Sequence, residues 1–111
     1  MKNVLWFSRH DMTEEQKAAL GDCEIVQVNK SIQSAYELAD EIAECDILAI
    51  VAPIQLQQQF LKLAASKPVI MAVNDRVLIP QPDGTEDKVA FRFVKWERLV
   101  KIEVIKEDFT L

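Results

Sequence analysis

The strongest constraint on the fold is the run Ile47-Leu48-Ala49-Ile50-Val51-Ala52, six apolar residues in succession between Asp46 and Pro53. A strand with one wet face alternates apolar and polar residues. One that is apolar throughout needs cover on both faces, as in the centre of a parallel sheet with helices layered on either side. The rest of the chain suits that arrangement. Asn3 to Ser8 is a compact apolar run with two aromatics, and Thr13-Glu14-Glu15-Gln16 has the spacing of a capping box, predicting a short helix that ends near Gly21. Glu24 to Val28 alternates as a strand. Asn29-Lys30-Ser31 offers a turn and a cap, and Ile32, Ala35, Ala39 and Ile42 recur at helical spacing, with Glu37, Asp40, Glu41 and Glu44 opposite. Pro53 suits a first helical turn, Leu56, Phe60, Leu63 and Ala64 mark a third buried stripe, and Pro68 to Val73 forms a fourth strand.

Strand and helix thus alternate three times before a final strand, which predicts an α/β fold of three layers, Rossmann-like, with a parallel sheet in flavodoxin-like order. Beyond it, Pro80, Pro82 and Asp83-Gly84 give turn signals. Val89, Phe91 and Phe93, then Val100, Ile102 and Val104, alternate in a way that predicts a C-terminal antiparallel hairpin extending the sheet or crossing to a partner subunit. At 111 residues the chain is one domain, with a parallel βα core over 1–76 and a hairpin extension over 77–111.

Several function classes are disfavoured. With only Gly21 and Gly84, neither a dinucleotide-binding G-x-G-x-x-G nor a P-loop can be built. The net charge of −5 argues against binding long nucleic acid, whose affinity rises with each phosphate neutralised, while leaving room for a local anion site. Cys23 and Cys45 lack CxxC spacing and have one histidine between them, so both are expected to be reduced structural thiols, with no metal and no cofactor. The longest apolar stretch, interrupted by Pro53 and four glutamines, is too short for a membrane span, and the amino terminus lacks secretory features; a cytoplasmic protein is expected.

In a doubly wound sheet, ligands bind beyond the carboxyl ends of the strands where the strand order reverses, here between strands one and three. The segments bordering that point are Ser8 to Thr13 and Pro53 to Gln58. Ser8-Arg9-His10-Asp11 brings a hydroxyl, a fixed cation, the single histidine and a carboxylate to the start of a helix, a setting for phosphate. Against this stands a plain surface turn in which Asp11 pairs with Arg9. Without G-x-S-x-G, a serine-hydrolase triad of Ser8, His10 and Asp11 is disfavoured. Ligand-binding candidates around this loop are Asp11, Met12, Asn29, Lys30, Pro53, Gln55, Gln58, Asn74 and Arg76. Gln57 and Gln59 are expected on a solvated face. Asn29-Lys30-Ser31 and Asn74-Asp75-Arg76 serve equally well as turn chemistry. Trp96 is either an interface anchor or a hairpin residue covering the core.

The stretch Leu5-Trp6-Phe7-Ser8-Arg9-His10-Asp11-Met12-Thr13-Glu14-Glu15-Gln16, a strand running into S-R-H-x-x-T-x-E-Q, resembles the amino terminus of small CRISPR-associated ring nucleases and their relatives on mobile elements. These are similar to nucleotide-sensing CARF domains. The resemblance covers the first strand and helix, follows the next three strands in outline and hardly reaches the hairpin. It implies a homodimer that binds cyclic oligoadenylate and cleaves it without metal, a ribose 2′-hydroxyl attacking the adjacent phosphorus. By that resemblance Ser8 holds the phosphate, His10 assists proton transfer and Arg9 or Lys30 offsets charge, making Ser8, Arg9 and His10 the catalytic candidates. A non-catalytic sponge or sensor of the same ligand, and a dimeric interaction protein without one, are the alternative expectations.

Overall fold

A computed structural model describes residues 1–111. The elements run β1 (Lys2–Phe7), α1 (Glu14–Leu20), β2 (Cys23–Val28), a 3₁₀ turn (Ala35–Leu38) leading into α2 (Ala39–Glu44), β3 (Ile47–Ile50), α3 (Ile54–Ala64), β4 (Val69–Ile79) and β5 (Lys88–Arg98). They form an α/β fold around one five-stranded mixed sheet of order β2-β1-β3-β4-β5, parallel except for the antiparallel β4–β5 pair. Strand order reverses beside β1, as the alternation of elements predicts.

Period-two alternation divides the central strands between two apolar clusters. Leu5, Phe7, Leu48, Ile50 and Val69 pack with Leu38, Ile42, Leu56 and Phe60 from the turn, α2 and α3. Val4, Trp6 and Ala49 point the other way, towards Met12, Leu20 and Trp96. Leu48, Ala49 and Ile50 are all buried, which is why their run tolerates no polar residue.

The local signals at α1 are met in full. Thr13 Oγ1 accepts from the Gln16 amide at 3.1 Å and Gln16 Oε1 accepts from the Thr13 amide at 2.9 Å, while Gly21 ends the helix at φ 78°. The second helix starts later than expected. Ser34 caps the 3₁₀ turn that leads into it, with Glu37 completing a second capping box, and Ser31 stays in the preceding loop. Both serines precede apolar residues at helical spacing, but only Ser34 has a carboxylate three positions on.

The hairpin differs from expectation in its pairing. The fourth strand does not stop at Val73 but continues to Ile79, and the hairpin is formed by β4 with β5. Residues 99–111 contain no strand. The polar triplet Asn74-Asp75-Arg76 reads as a turn, yet a strand open to water on both faces accommodates it, and β5 supplies the missing hydrogen bonds. The alternation of Val100, Ile102 and Val104 has no neighbouring strand to pair with, and alternation without a ladder is not a strand. The division at residue 76 consequently falls inside β4. A register shift at Val73/Asn74 leaves Val94 opposite no partner and brings Phe93 onto the same face as Trp96, with ring centroids 5.6 Å apart.

Candidate functional site

A cleft of about 400 Å³ opens at the carboxyl ends of β1, β2 and β3, on the α2/α3 side of the sheet. Its floor is apolar, formed by Phe7, Val28, Ile32, Val51, Pro53 and Leu56, and its rim carries Ser8, Arg9, His10, Lys30 and Ser31. The segment after β1 and the start of α3 therefore border one crevice, as the position of the reversal predicts. No acidic residue lines the cleft, although the chain has 18 acids against 13 basic residues. A local surplus of cations on an acidic protein focuses anions at that spot.

The loop carrying Ser8, Arg9 and His10 is held by its backbone. The Trp6 indole donates to the His10 carbonyl at 2.8 Å, and the Gln27 carboxamide donates to the Ser8 and His10 carbonyls, both at 3.0 Å. The Ser8 amide donates to the Val28 carbonyl at 3.3 Å, and the Val51 amide to the Phe7 carbonyl at 2.9 Å. These bonds carry the sheet ladder past the last strand residues. Ser8 is itself buried, and its hydroxyl accepts from the His10 amide at 3.1 Å, closing a small turn. With the carbonyls fixed below, the Arg9 and His10 side chains stand exposed at the rim. The Arg9 guanidinium donates to the Ser31 hydroxyl, joining the loops after β1 and β2 across one side of the opening.

Of the twelve candidate residues, the cleft gathers Ser8, Arg9, His10, Lys30 and Pro53. The other seven lie elsewhere. Asp11 and Asn29 are exposed beside the lining residues but outside the cleft, and Gln55 is exposed on the first turn of α3. Met12 is buried in the cluster on the opposite face of the sheet, where its thioether fills space beside Trp6. Gln58 lies further along α3, beside Val100 and Ile102. Asn74 and Arg76 sit inside β4, opposite Phe93 and Phe91, because β5 extends the strand where a loop was expected.

The neighbouring glutamines are structural. Gln57 donates to the Ala52 carbonyl at 2.7 Å, and Gln59 accepts from the Ala35 amide at 2.7 Å, tying α3 to the 3₁₀ turn. Both are half-buried rather than on the solvated face expected for them. The sequence reading also passed over Gln27 and Trp6 as supports of the loop. The available signal was a carboxamide in the middle of an otherwise apolar strand end, Val26-Gln27-Val28.

Both thiols are free, and burial pushes the Cys45 thiol up from its usual value, suiting a structural cysteine. No three His, Cys, Asp or Glu side chains come together as metal ligands, and no helix is long and apolar enough to cross a membrane. Set against known proteins, the chain matches no family model, no curated relative and no solved structure.

Proposed function

We propose that this protein is a Rossmann-like, cytoplasmic nucleotide-binding protein whose cleft takes a cyclic oligoadenylate and cleaves it without a metal, two copies presenting their clefts to one ring. The observation that carries this reading is the carboxylate-free cleft, with Arg9, His10 and Lys30 above an apolar floor. Guanidinium and ammonium groups suit phosphate, and the floor of Phe7, Val28, Ile32 and Leu56 suits the face of a base. The segment Leu5 to Gln16, which resembles the ring nucleases, supplies Ser8, Arg9 and His10 of this rim.

In such a reaction the ribose O2′–P bond forms and the P–O5′ bond breaks, leaving a 2′,3′-cyclic phosphate and a free 5′-hydroxyl. His10 takes the 2′-hydroxyl proton and returns one to the departing oxygen. Arg9 and Lys30 stabilise the charge that builds on the phosphoryl oxygens. Ser8 holds the loop in shape, since its hydroxyl already accepts from the His10 amide.

Incubation of the purified protein with cyclic tetra- and hexa-adenylate, followed by product analysis, tests the reading. Cleavage that is lost in His10→Ala while binding persists supports it, and rings left intact after prolonged incubation refute catalysis. One observation favours a second reading, a non-catalytic sponge or sensor: Ser8 and Arg9 are both engaged in holding the two loops. Calorimetry showing tight binding without turnover selects that reading, and affinity unchanged by Arg9→Ala together with Lys30→Ala removes the cleft from both.

A further inference from the structure

Residues 103–111 form no strand, and in an extended chain Ile105, Phe109 and Leu111 share one side with Glu103 and Glu107, while Val104, Lys106, Asp108 and Thr110 fall on the other. Ile105 is 88% exposed and Phe109 82% exposed. The sheet in turn lacks a strand at one edge. β5 is an edge strand, its outer row of amides and carbonyls unpaired, and its distal half is exposed, with Phe91 at 74%. Two strands alone are marginal in water, and a third laid over an apolar face gives such a ribbon independent stability.

The chain cannot readily satisfy itself. The Leu99 amide donates to the Val69 carbonyl at 2.8 Å, so the tail leaves beside the first residue of β4. Phe91 lies beside Arg76, seven residues further along the same strand. At about 3.3 Å per residue that is over 20 Å away, and Val100 to Ile102 first cross α3 at Leu61 and Lys62, on the opposite side of the sheet from the face that Phe91 shares with Trp96. Charge also matches the tail to the arm. β5 has Lys88, Arg92, Lys95 and Arg98 against Glu97 alone, whereas residues 103–111 have Glu103, Glu107 and Asp108 against Lys106 alone. Two β5 strands set edge to edge would bring two strands of net positive charge together, whereas a tail of net negative charge beside β5 is attracted to it.

We infer that the tail, residues 103–111, of one copy adds as a sixth strand along β5 of a second copy, with Ile105, Phe109 and Leu111 on the side of Val89 and Phe91, and that the exchange is reciprocal. The occupant of the bare edge is thus a second copy of this chain, held by strand addition with two equivalent seats. The assembly does not depend on the cleft, so its measurement needs no nucleotide and its failure leaves the proposed ligand untouched.

Light scattering on the full chain at micromolar concentration tests this. The unaltered protein is expected to be dimeric, and Phe91→Glu and Phe109→Glu are each expected to weaken the dimer by about tenfold or more while circular dichroism and the melting curve of the monomer stay unchanged. An equimolar mixture of the two variants retains one intact seat, the arm of one with the tail of the other, and native mass spectrometry should show the mixed pair at well over twice the abundance of either like pair, the ratio that random pairing gives. A monomeric unaltered protein overturns the inference, as does a dimer indifferent to either substitution. A mixture without preference for the unlike pair does the same. Disruption by Phe91→Glu but not Phe109→Glu would point instead to arms packing on arms.

Discussion

The parallel body and the antiparallel arm follow different rules of stability. Every buried residue lies at or before Val69, so the body up to the first residue of β4 contains the whole core, while the rest of the arm and the tail bury nothing fully. The body keeps its shape by packing helices on both faces of a sheet. The arm is held by its hydrogen-bond ladder, by the Asp83-Gly84 turn, where Asp83 accepts from the Thr85 amide at 3.1 Å, and by the Trp96 contact with Trp6. The radius of gyration, 17.4 Å, reflects this division, since a compact domain near this size has about 13 Å. Catalytic or binding precision is available where packing is dense, and the cleft lies on that side. Reach and exposed edge are available in the arm, and they suit assembly.

The largest expected effect sets the two regions directly against each other. Phe60 is fully buried with its ring 5.3 Å from Phe7, so Phe60→Ala should destabilise the fold by about 3–5 kcal/mol in chemical denaturation. Phe91→Ala, at a dilution where one copy is measured, should change it by no more than about 0.5 kcal/mol. Comparable losses would mean that the arm is part of the core after all.

A middle-sized effect belongs to the seam. Trp96 stacks edge-on to Trp6 at 5.9 Å and donates to the Gln16 carbonyl at 3.1 Å, so Trp96→Ala should cost about 2–3 kcal/mol, less than full burial would give, and loosen α1 with the arm. Hydrogen exchange that speeds up in α1 and β5 but not in β3 is the expected signature. A smaller effect separates packing from positioning. Trp6→Phe keeps an aromatic body but removes the donor to the His10 carbonyl, which should cost about 1 kcal/mol and weaken ligand binding in the cleft by more than it weakens the fold.

The smallest effect is in pH. The carboxylate of Glu37 accepts from the Gln33 and Ser34 amides, and these bonds hold its pKa below the ordinary glutamate range. A group lowered in the folded state stabilises above its unfolded pKa, and that contribution fades as pH falls through the folded value. Glu37 is exposed, so the change is slight; it should appear as an acid-side loss in thermal melts that Glu37→Gln abolishes without removing the cap. A loss that persists in Glu37→Gln would assign the acid response to other carboxylates.

Much of the body was legible because its signals are local. The capping box at Thr13, the stop at Gly21 and the unbroken run after Asp46 each follow from contacts within a few residues. The lining of the cleft was legible in part, since strand-end loops follow from strand order; Ser8, Arg9, His10 and Lys30 are on its rim and Pro53 is in its floor. Misplacement began where the answer depended on distant neighbours. Met12 shares a loop with His10 but turns to the opposite face of the sheet, and Asn74 and Arg76 lie in a strand because β5 pairs with them across a loop of eight residues.

The sequence by itself determined the order of strands and helices, their caps and the two apolar sides of the sheet, because periodicity and capping are short-range chemistry. Only the tertiary structure decided which polar side chains meet. It let Ser8 and Gln59 satisfy backbone amides, left Arg9, His10 and Lys30 around one cleft, and carried β4 outward as an arm. Those outcomes rest on pairings between residues far apart in the chain, for which no local pattern encodes the partner.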